Sequence, residues 1–307
     1  MIQIIPLDAK WCASHGLPQI DSDCDKNSRG RVLLVGGARF VPGALALTGE
    51  AVLRAGAGKL QMATVDSVAS ALGVLVPEAA MIGLPMREDG EIAKDGVGVL
   101  ADLVPQCDLL LVGPGMSATA ETGLFVRGLL ALSPPAMLLD AAALTCTSLT
   151  ELANAARKLP LILTPHHGEM ARLIGRDPQA VAADPVHMVC QIVEQTGAYI
   201  ALKGPETWIG GPGMPIIRFT GGCPGLGVGG SGDVLAGIVG GLLARGAAPI
   251  VALGWGVALH GAAGQLAAAE IGEIGFLARE LLPLVPRLME TLGQPLPAQG
   301  NGFIYKR

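Results

Sequence analysis

A chain of 307 residues, half of them hydrophobic, is long enough to bury one large core, and its formal charge of -5 leaves no cationic footprint for a polyanion. Aromatic residues make up only 3%, and no dense Lys/Arg run occurs, so a basic stripe or a base-stacking platform for nucleic acid is excluded. The 44 glycines follow no three-residue period, which excludes collagen and implies many tight strand-to-helix turns.

From the N-terminus, MIQIIPLDAKW places an acid and a proline where an export signal would need a basic start and an unbroken apolar stretch. A cytoplasmic location is therefore expected. Residues 1–28 are polar and read as an N-terminal extension, with a single domain expected over residues 29–307. Short, nearly all-apolar runs at 31–35, 59–63, 108–112, 136–140, 161–164 and 199–203 predict strands buried on both faces. Residues 207–209 and 216–219 predict a late hairpin. Between the strands, 43–55, 121–132, 148–158, 168–174 and 185–196 have the length and spacing of amphipathic helices. This alternation is βαβ grammar. It predicts an α/β fold with a mostly parallel central sheet, helices on both faces, and ligands at the carboxyl ends of the strands.

The most apolar stretch, 234–260, is cut by Arg245 and Pro249 into pieces short of the ~20 residues a membrane span needs, so buried core helices and no membrane association are expected. The six cysteines form no CxxC pair and lie far apart, which predicts reduced thiols, no disulfide framework and no zinc site. No metal-ligand cluster is visible.

The segment with the clearest chemistry is TGGCPGLGVGGSGD, residues 220–233, which opens directly into the apolar run VLAGIVGGLLA. Successive glycine N-H groups pointing into one concavity, together with the positive end of a helix, make an anion site without a basic side chain. Gly229, Gly230, Ser231 and Gly232 are the candidate phosphate ligands. Asp233 either caps the helix or serves as general base, taking the proton of a hydroxyl as its oxygen attacks phosphorus. The pattern is neither a P-loop nor an N-terminal dinucleotide fingerprint. Lys203, at a predicted strand end, is suited to offset phosphate charge. Asp140 suits either a metal-bound water or a nearby amide, and Glu169 either the site or the start of a helix.

These landmarks stand in a fixed order: GRVLLVGGARFVPGALALTGEAVLRAGAGKLQMAT, LLVGPGM, LLDAAAL, LTPHHGEMARLIG, ALKGPETWI and GCPGLGVGGSGDVLAGIVGGLLARG. Over residues 29–292 the chain resembles the ribokinase-like superfamily, and within it the ADP/ATP-dependent NAD(P)H-hydrate dehydratases, the carbohydrate-kinase-like domain of YjeF-type proteins. The resemblance implies a ribokinase-like three-layer sandwich and a metabolite-repair lyase acting on hydrated NADH or NADPH (the S form). A nucleotide, ADP in most bacterial members and ATP in eukaryotic ones, phosphorylates the ring hydroxyl, and phosphate then leaves. It further implies that Ala44, Gly115, His166 and Asp233 contact the hydrate. Lys203, Gly204, Pro205, Glu206, Thr207 and Gly232 would contact the nucleotide, with Mg²⁺ arriving alongside it. Resemblance to tetrameric members, and the apolar surface of helices over 247–269, predict a homo-oligomer.

The chain departs from the family pattern at three places. Ala142 stands where a second acid of D-A-D-A-L is usual, Cys223 where Asn is usual, and Val228 where Thr is usual. Ala142 removes one candidate metal or water contact, and Cys223 and Val228 remove hydrogen-bonding capacity next to the nucleotide site. The 28 residues before Arg29 cannot hold the N-terminal epimerase domain of the YjeF-type proteins that carry both activities, so a separate epimerase is expected to supply the S hydrate. Two other readings share the same anion turn. A ribokinase-like kinase for a vitamin precursor or sugar would leave phosphate on its product, and a nucleotide binder without catalysis would show a nucleotide-induced rise in melting temperature but no turnover.

Overall fold

The computed structural model describes residues 2–20 and 23–292. Its ten strands, in chain order, are β1 (Ile4–Pro6), β2 (Arg31–Val35), β3 (Lys59–Val65), β4 (Ala80–Leu84), β5 (Leu109–Val112), β6 (Met137–Leu139), β7 (Leu161–Leu163), β8 (Tyr199–Leu202), β9 (Thr207–Gly210) and β10 (Ile216–Phe219). They form one sheet in the order β1-β10-β9-β8-β7-β6-β5-β2-β3-β4. Every pairing is parallel except those of β9 with β8 and β10.

Strict alternation along the strands explains the three layers. In β2, Val32 and Leu34 point into one core while Leu33 and Val35 point into the other; in β5, Leu109 and Leu111 oppose Leu110 and Val112 in the same way. The first core is closed by the Pro42–Arg54, Ser231–Ala244 and Pro249–Glu270 helices. The second is closed by Ala120–Ala131, Leu149–Ala156, His167–Ile174 and Pro185–Thr196. With both faces covered, nearly every strand residue is apolar, and this made the strands legible as runs.

Chain order reverses between β2 and β5. From β2 the chain proceeds outward through β3 and β4, whereas from β5 it proceeds the other way through β6, β7 and β8. Such a switch point opens a crevice at the carboxyl ends of the two strands. Here those ends carry Gly36-Gly37 and Gly113-Pro114-Gly115, joined by the Gly37 N-H donating to the Pro114 carbonyl at 2.7 Å.

Two expectations are revised. The segment read as an extension enters the fold: β1 pairs with β10, and Trp11 and Cys12 of the Ala9–Ser14 helix are buried in the first core. Its three-residue strand, followed by a helix with a single turn of apolar side chains, is too short for a periodic signal. The Pro249–Glu270 helix also runs 22 residues, longer than the interrupted pieces expected, because proline is tolerated at its first position. It is apolar and long enough to cross a membrane, yet 78% of its most apolar window is buried within the fold. It therefore does not expose the apolar face that the expected homo-oligomer relies on. All six cysteines are free. The predicted domain's last residues, 293–307, lie outside the described residues.

Candidate active site

The Ser231–Ala244 helix begins at Gly230, whose φ of +90° lies in the left-handed region that glycine adopts without strain. Gly230 is the N-cap and offers no side-chain cap, so Asp233 is not the cap; it is the third helical residue, in the first turn. The N-H of Ser231 reaches the Val228 carbonyl at 3.2 Å and that of Val234 the Gly230 carbonyl at 3.0 Å. Among the described residues the N-H groups of Gly232 and Asp233 between them find no acceptor, which is what an anion site at a helix N-terminus requires.

This helix is set by a close approach. A methyl group added at Gly237 would collide with the Thr48 carbonyl, and one at Gly241 with the Val52 carbonyl, so the helix packs backbone to backbone against Pro42–Arg54. Both helices run in the same direction, since Gly237 meets Thr48 and Gly241 meets Val52. One turn back along this register, Asp233 comes level with Ala44. Ala44 in turn lies beside Gly115, whose added methyl would stand 3.1 Å from the Ala44 Cβ. This register sets Asp233 at the end of its helix that faces the crevice, where Ala44 and Gly115 lie side by side.

The ends of β6, β7 and β8 supply its charge. Lys203 Nζ lies 2.9 Å from Asp140 Oδ1 and 4.0 Å from Glu169 Oε2, with its side chain only 17% exposed. The Thr164 hydroxyl donates to the same Asp140 oxygen at 2.6 Å. A methyl group on Gly232 would stand 3.4 Å from Lys203 Nζ, so the ammonium borders the phosphate turn. Asp140 therefore anchors a lysine. Ala141, which follows it, holds a φ of +49°, a left-handed conformation that costs a non-glycine residue about 1 kcal/mol or more and persists where the surroundings enforce it.

Electrostatics follow from this crowding. Burial, and secondarily the Asp140 and Glu169 carboxylates against the counteracting Lys203 ammonium, push the Asp233 carboxyl up to about 7. Lys203 moves upward, because its carboxylate neighbours, Asp140 foremost, outweigh its own burial. Asp233 is thus poised to take up and release a proton near neutral pH, the property a general base needs.

The remaining predicted residues divide. His166 is the N-cap of the His167–Ile174 helix; its Nδ1 accepts from the Gly168 and Glu169 N-H groups at 2.9 and 3.1 Å, and Glu169 returns a bond to the His166 N-H at 2.8 Å. It stands exposed beside Lys203 through a backbone bridge, with its Nε2 3.4 Å from Glu169 Oε1. Gly204 and Pro205 are exposed, and Gly204 abuts the His167 ring. Glu206 is committed to an ion pair with Arg218, whose guanidinium lies over the Trp208 ring, and Thr207 begins β9. Gly229 opens onto free space. Of the departures, Ala142 is buried, and the half-buried Cys223 thiol donates to the Gly264 carbonyl at 3.3 Å. His260, which sequence reasoning passed over, lies under the turn with Nε2 2.9 Å from Ser231 Oγ. Its signal was a lone imidazole in the otherwise apolar run 249–264.

Comparison with known proteins then decides the family. The family model described as NAD(P)H-hydrate dehydratase matches residues 32–287. The chain belongs to the NAD(P)H-hydrate dehydratase family. It is 42% identical over 268 residues to the ADP-dependent (S)-NAD(P)H-hydrate dehydratase of Xanthomonas campestris, covering 87% of this chain and 91% of that one. It is 35% identical over 286 residues to the bifunctional NAD(P)H-hydrate repair enzyme of Moorella thermoacetica, covering 93% of this chain but 54% of that longer protein. The crystal structure of the ADP/ATP-dependent NAD(P)H-hydrate dehydratase from Bacillus subtilis, co-crystallised with ATP and Mg²⁺, superposes with a TM-score of 0.82 at 29% identity, covering 95% and 99% of the two chains. The dehydratase-family fold is ribokinase-like, as the resemblance implied.

Proposed function

We propose that this chain dehydrates the S form of hydrated NADH or NADPH, consuming a nucleotide, with ADP as the preferred donor. The observation that carries the reading is Asp233, a carboxyl poised near neutrality between the Lys203 ammonium and a helix N-terminus whose Gly232 and Asp233 N-H groups have no acceptor among the described residues.

In this mechanism the Asp233 carboxylate accepts the proton of the ring hydroxyl while its oxygen attacks the terminal phosphorus of the nucleotide. The Gly232 and Asp233 N-H groups and Lys203 stabilise the charge that develops on phosphate, and AMP departs when ADP is the donor. The ring carbon now bears phosphate, a far better leaving group than hydroxide. The ring nitrogen's lone pair expels it, and loss of a proton from the adjacent carbon restores the conjugated dihydropyridine. The small Ala44 and Gly115 let the ring approach the switch point closely.

Mg²⁺ would neutralise charge on the nucleotide. Among the described residues no group of three or more His, Cys, Asp or Glu side chains is placed to hold a metal, and Asp140 is engaged by Lys203 and Thr164. The residues fit an ion that enters with its nucleotide, not a resident one. Cytoplasmic location and a homotetramer remain part of this proposal; light scattering showing a monomer would remove the latter. For the R hydrate we propose dependence on a separate epimerase activity, which rapid R-hydrate conversion by the purified 307-residue chain would contradict.

The test is absorbance at 340 nm after mixing the protein with S-NADH hydrate, Mg²⁺ and either ADP or ATP, with phosphate quantified in parallel. Growth of absorbance with one phosphate per NADH is expected, faster with ADP. A phosphorylated product without NADH would point to a small-molecule kinase, and a nucleotide-induced rise in melting temperature with no turnover to a binding protein.

A further inference from the structure

Helices that begin with Ser, Thr, Asp or Asn at the N-cap tie their first turn with that side chain. The Ser231–Ala244 helix begins with glycine and has no such tie. Ser231 follows at the first helical position, 4% exposed, so its hydroxyl is directed into the protein. There it meets the imidazole of His260, at 2.9 Å, from a helix that is otherwise apolar from Ile250 to Leu259. The tie that the cap residue lacks is thus supplied from a neighbouring helix.

The geometry points to His260 as a positioning residue for the nucleotide: by holding Ser231 Oγ it fixes the first turn of the helix, aiming the Gly232 and Asp233 N-H groups at the terminal phosphate. The inference rests on the nucleotide reading of the turn proposed above. Crowding by the surrounding protein pushes the imidazole down to about 4; the neighbouring Lys203 ammonium acts in the same direction, and a hydrogen bond to the Ser231 backbone opposes both. It is therefore neutral at working pH and holds the hydroxyl without adding a second cation beside Lys203. A histidine that merely filled the core would be replaceable by an aliphatic side chain without effect on nucleotide affinity.

Calorimetric titration with ADP, and with ATP in parallel, reads this without requiring hydrate turnover. His260→Leu and Ser231→Ala should each weaken ADP binding by about tenfold, the worth of one buried hydrogen bond. The double variant should be no worse than the poorer single, because both remove the same bond. His260→Asn or His260→Gln, which restore a side-chain partner for Oγ, should recover most of the loss, and the KM for ADP should follow ADP affinity while the hydrate KM stays in place. If the His260 variants do not fold, Ser231→Ala, which removes one oxygen only, carries the test alone. Folded His260→Leu, or Ser231→Ala, with ADP affinity within about twofold of wild type would overturn the inference, as would losses that multiply in the double variant. Wild-type protein that binds neither nucleotide would overturn it together with the proposed function; wild type that binds ADP without hydrate turnover would remove the reaction and leave this role standing.

Discussion

Lys203 and Glu206 lie three residues apart in the segment expected to hold nucleotide, yet the fold treats them in opposite ways. Lys203 sits within a ring of carboxylates, nearly out of solvent and bordering the phosphate turn. Glu206 is paired with Arg218 where water competes for both charges. A strand end places one side chain in the crevice and the next turn carries another away, so contiguity in sequence does not make a contiguous site. Charge shielded from water acts strongly on its neighbours, and exposed charge weakly.

The largest effect expected from this contrast lies at the acid that faces Lys203. Asp233→Ala should lower the rate by about 10² to 10⁴ while ADP affinity, measured by calorimetry, changes little; near-normal turnover would remove Asp233 from the base role. Lys203→Met should follow, weakening nucleotide binding and turnover together by about tenfold to a hundredfold, the range for a charge-assisted contact to phosphate.

The third effect is on pH dependence. A base must be deprotonated, so kcat/KM should fall as pH drops below about 7. Asp140→Asn removes a negative neighbour of Asp233, and the acid limb of the profile should move to lower pH; an unmoved limb would mean that Asp140 does not sense Asp233. Stability carries the same signature. The Asp233 carboxyl titrates higher in the folded than in the unfolded chain, so the wild type loses stability as pH rises from about 4 to 7. Asp233→Asn lacks that loss, and its melting temperature should exceed the wild-type value above pH 7, with the gain shrinking towards pH 4. Smallest of all, Glu206→Ala should leave melting temperature and nucleotide affinity within experimental scatter; a clear loss of affinity would bring Glu206 back into the site.

The same contrast explains what was legible beforehand. Strands buried on both faces announce themselves as apolar runs, and β2, β5 and β8 fall within a residue or two of expectation. The glycine turn was legible because a helix that opens on consecutive glycines leaves that pattern in the sequence. β1 was not, since three residues carry no period and its partner β10 lies more than 200 positions away in the chain. Nor was the Asp140–Lys203 pair, which joins two strand ends separated by 63 residues. The Ser231–His260 bond shows the same limit, because an imidazole within an apolar run reads as core until its partner is seen.

The central claim is that the hydroxyl oxygen attacks phosphorus and leaves attached to it. S-NADH hydrate labelled with ¹⁸O at the ring hydroxyl, turned over with ADP and Mg²⁺, tests this most directly by mass spectrometry of the inorganic phosphate. One ¹⁸O is expected in each phosphate released with NADH. Label appearing in water, with unlabelled phosphate, would mean that hydroxide leaves directly and would contradict it.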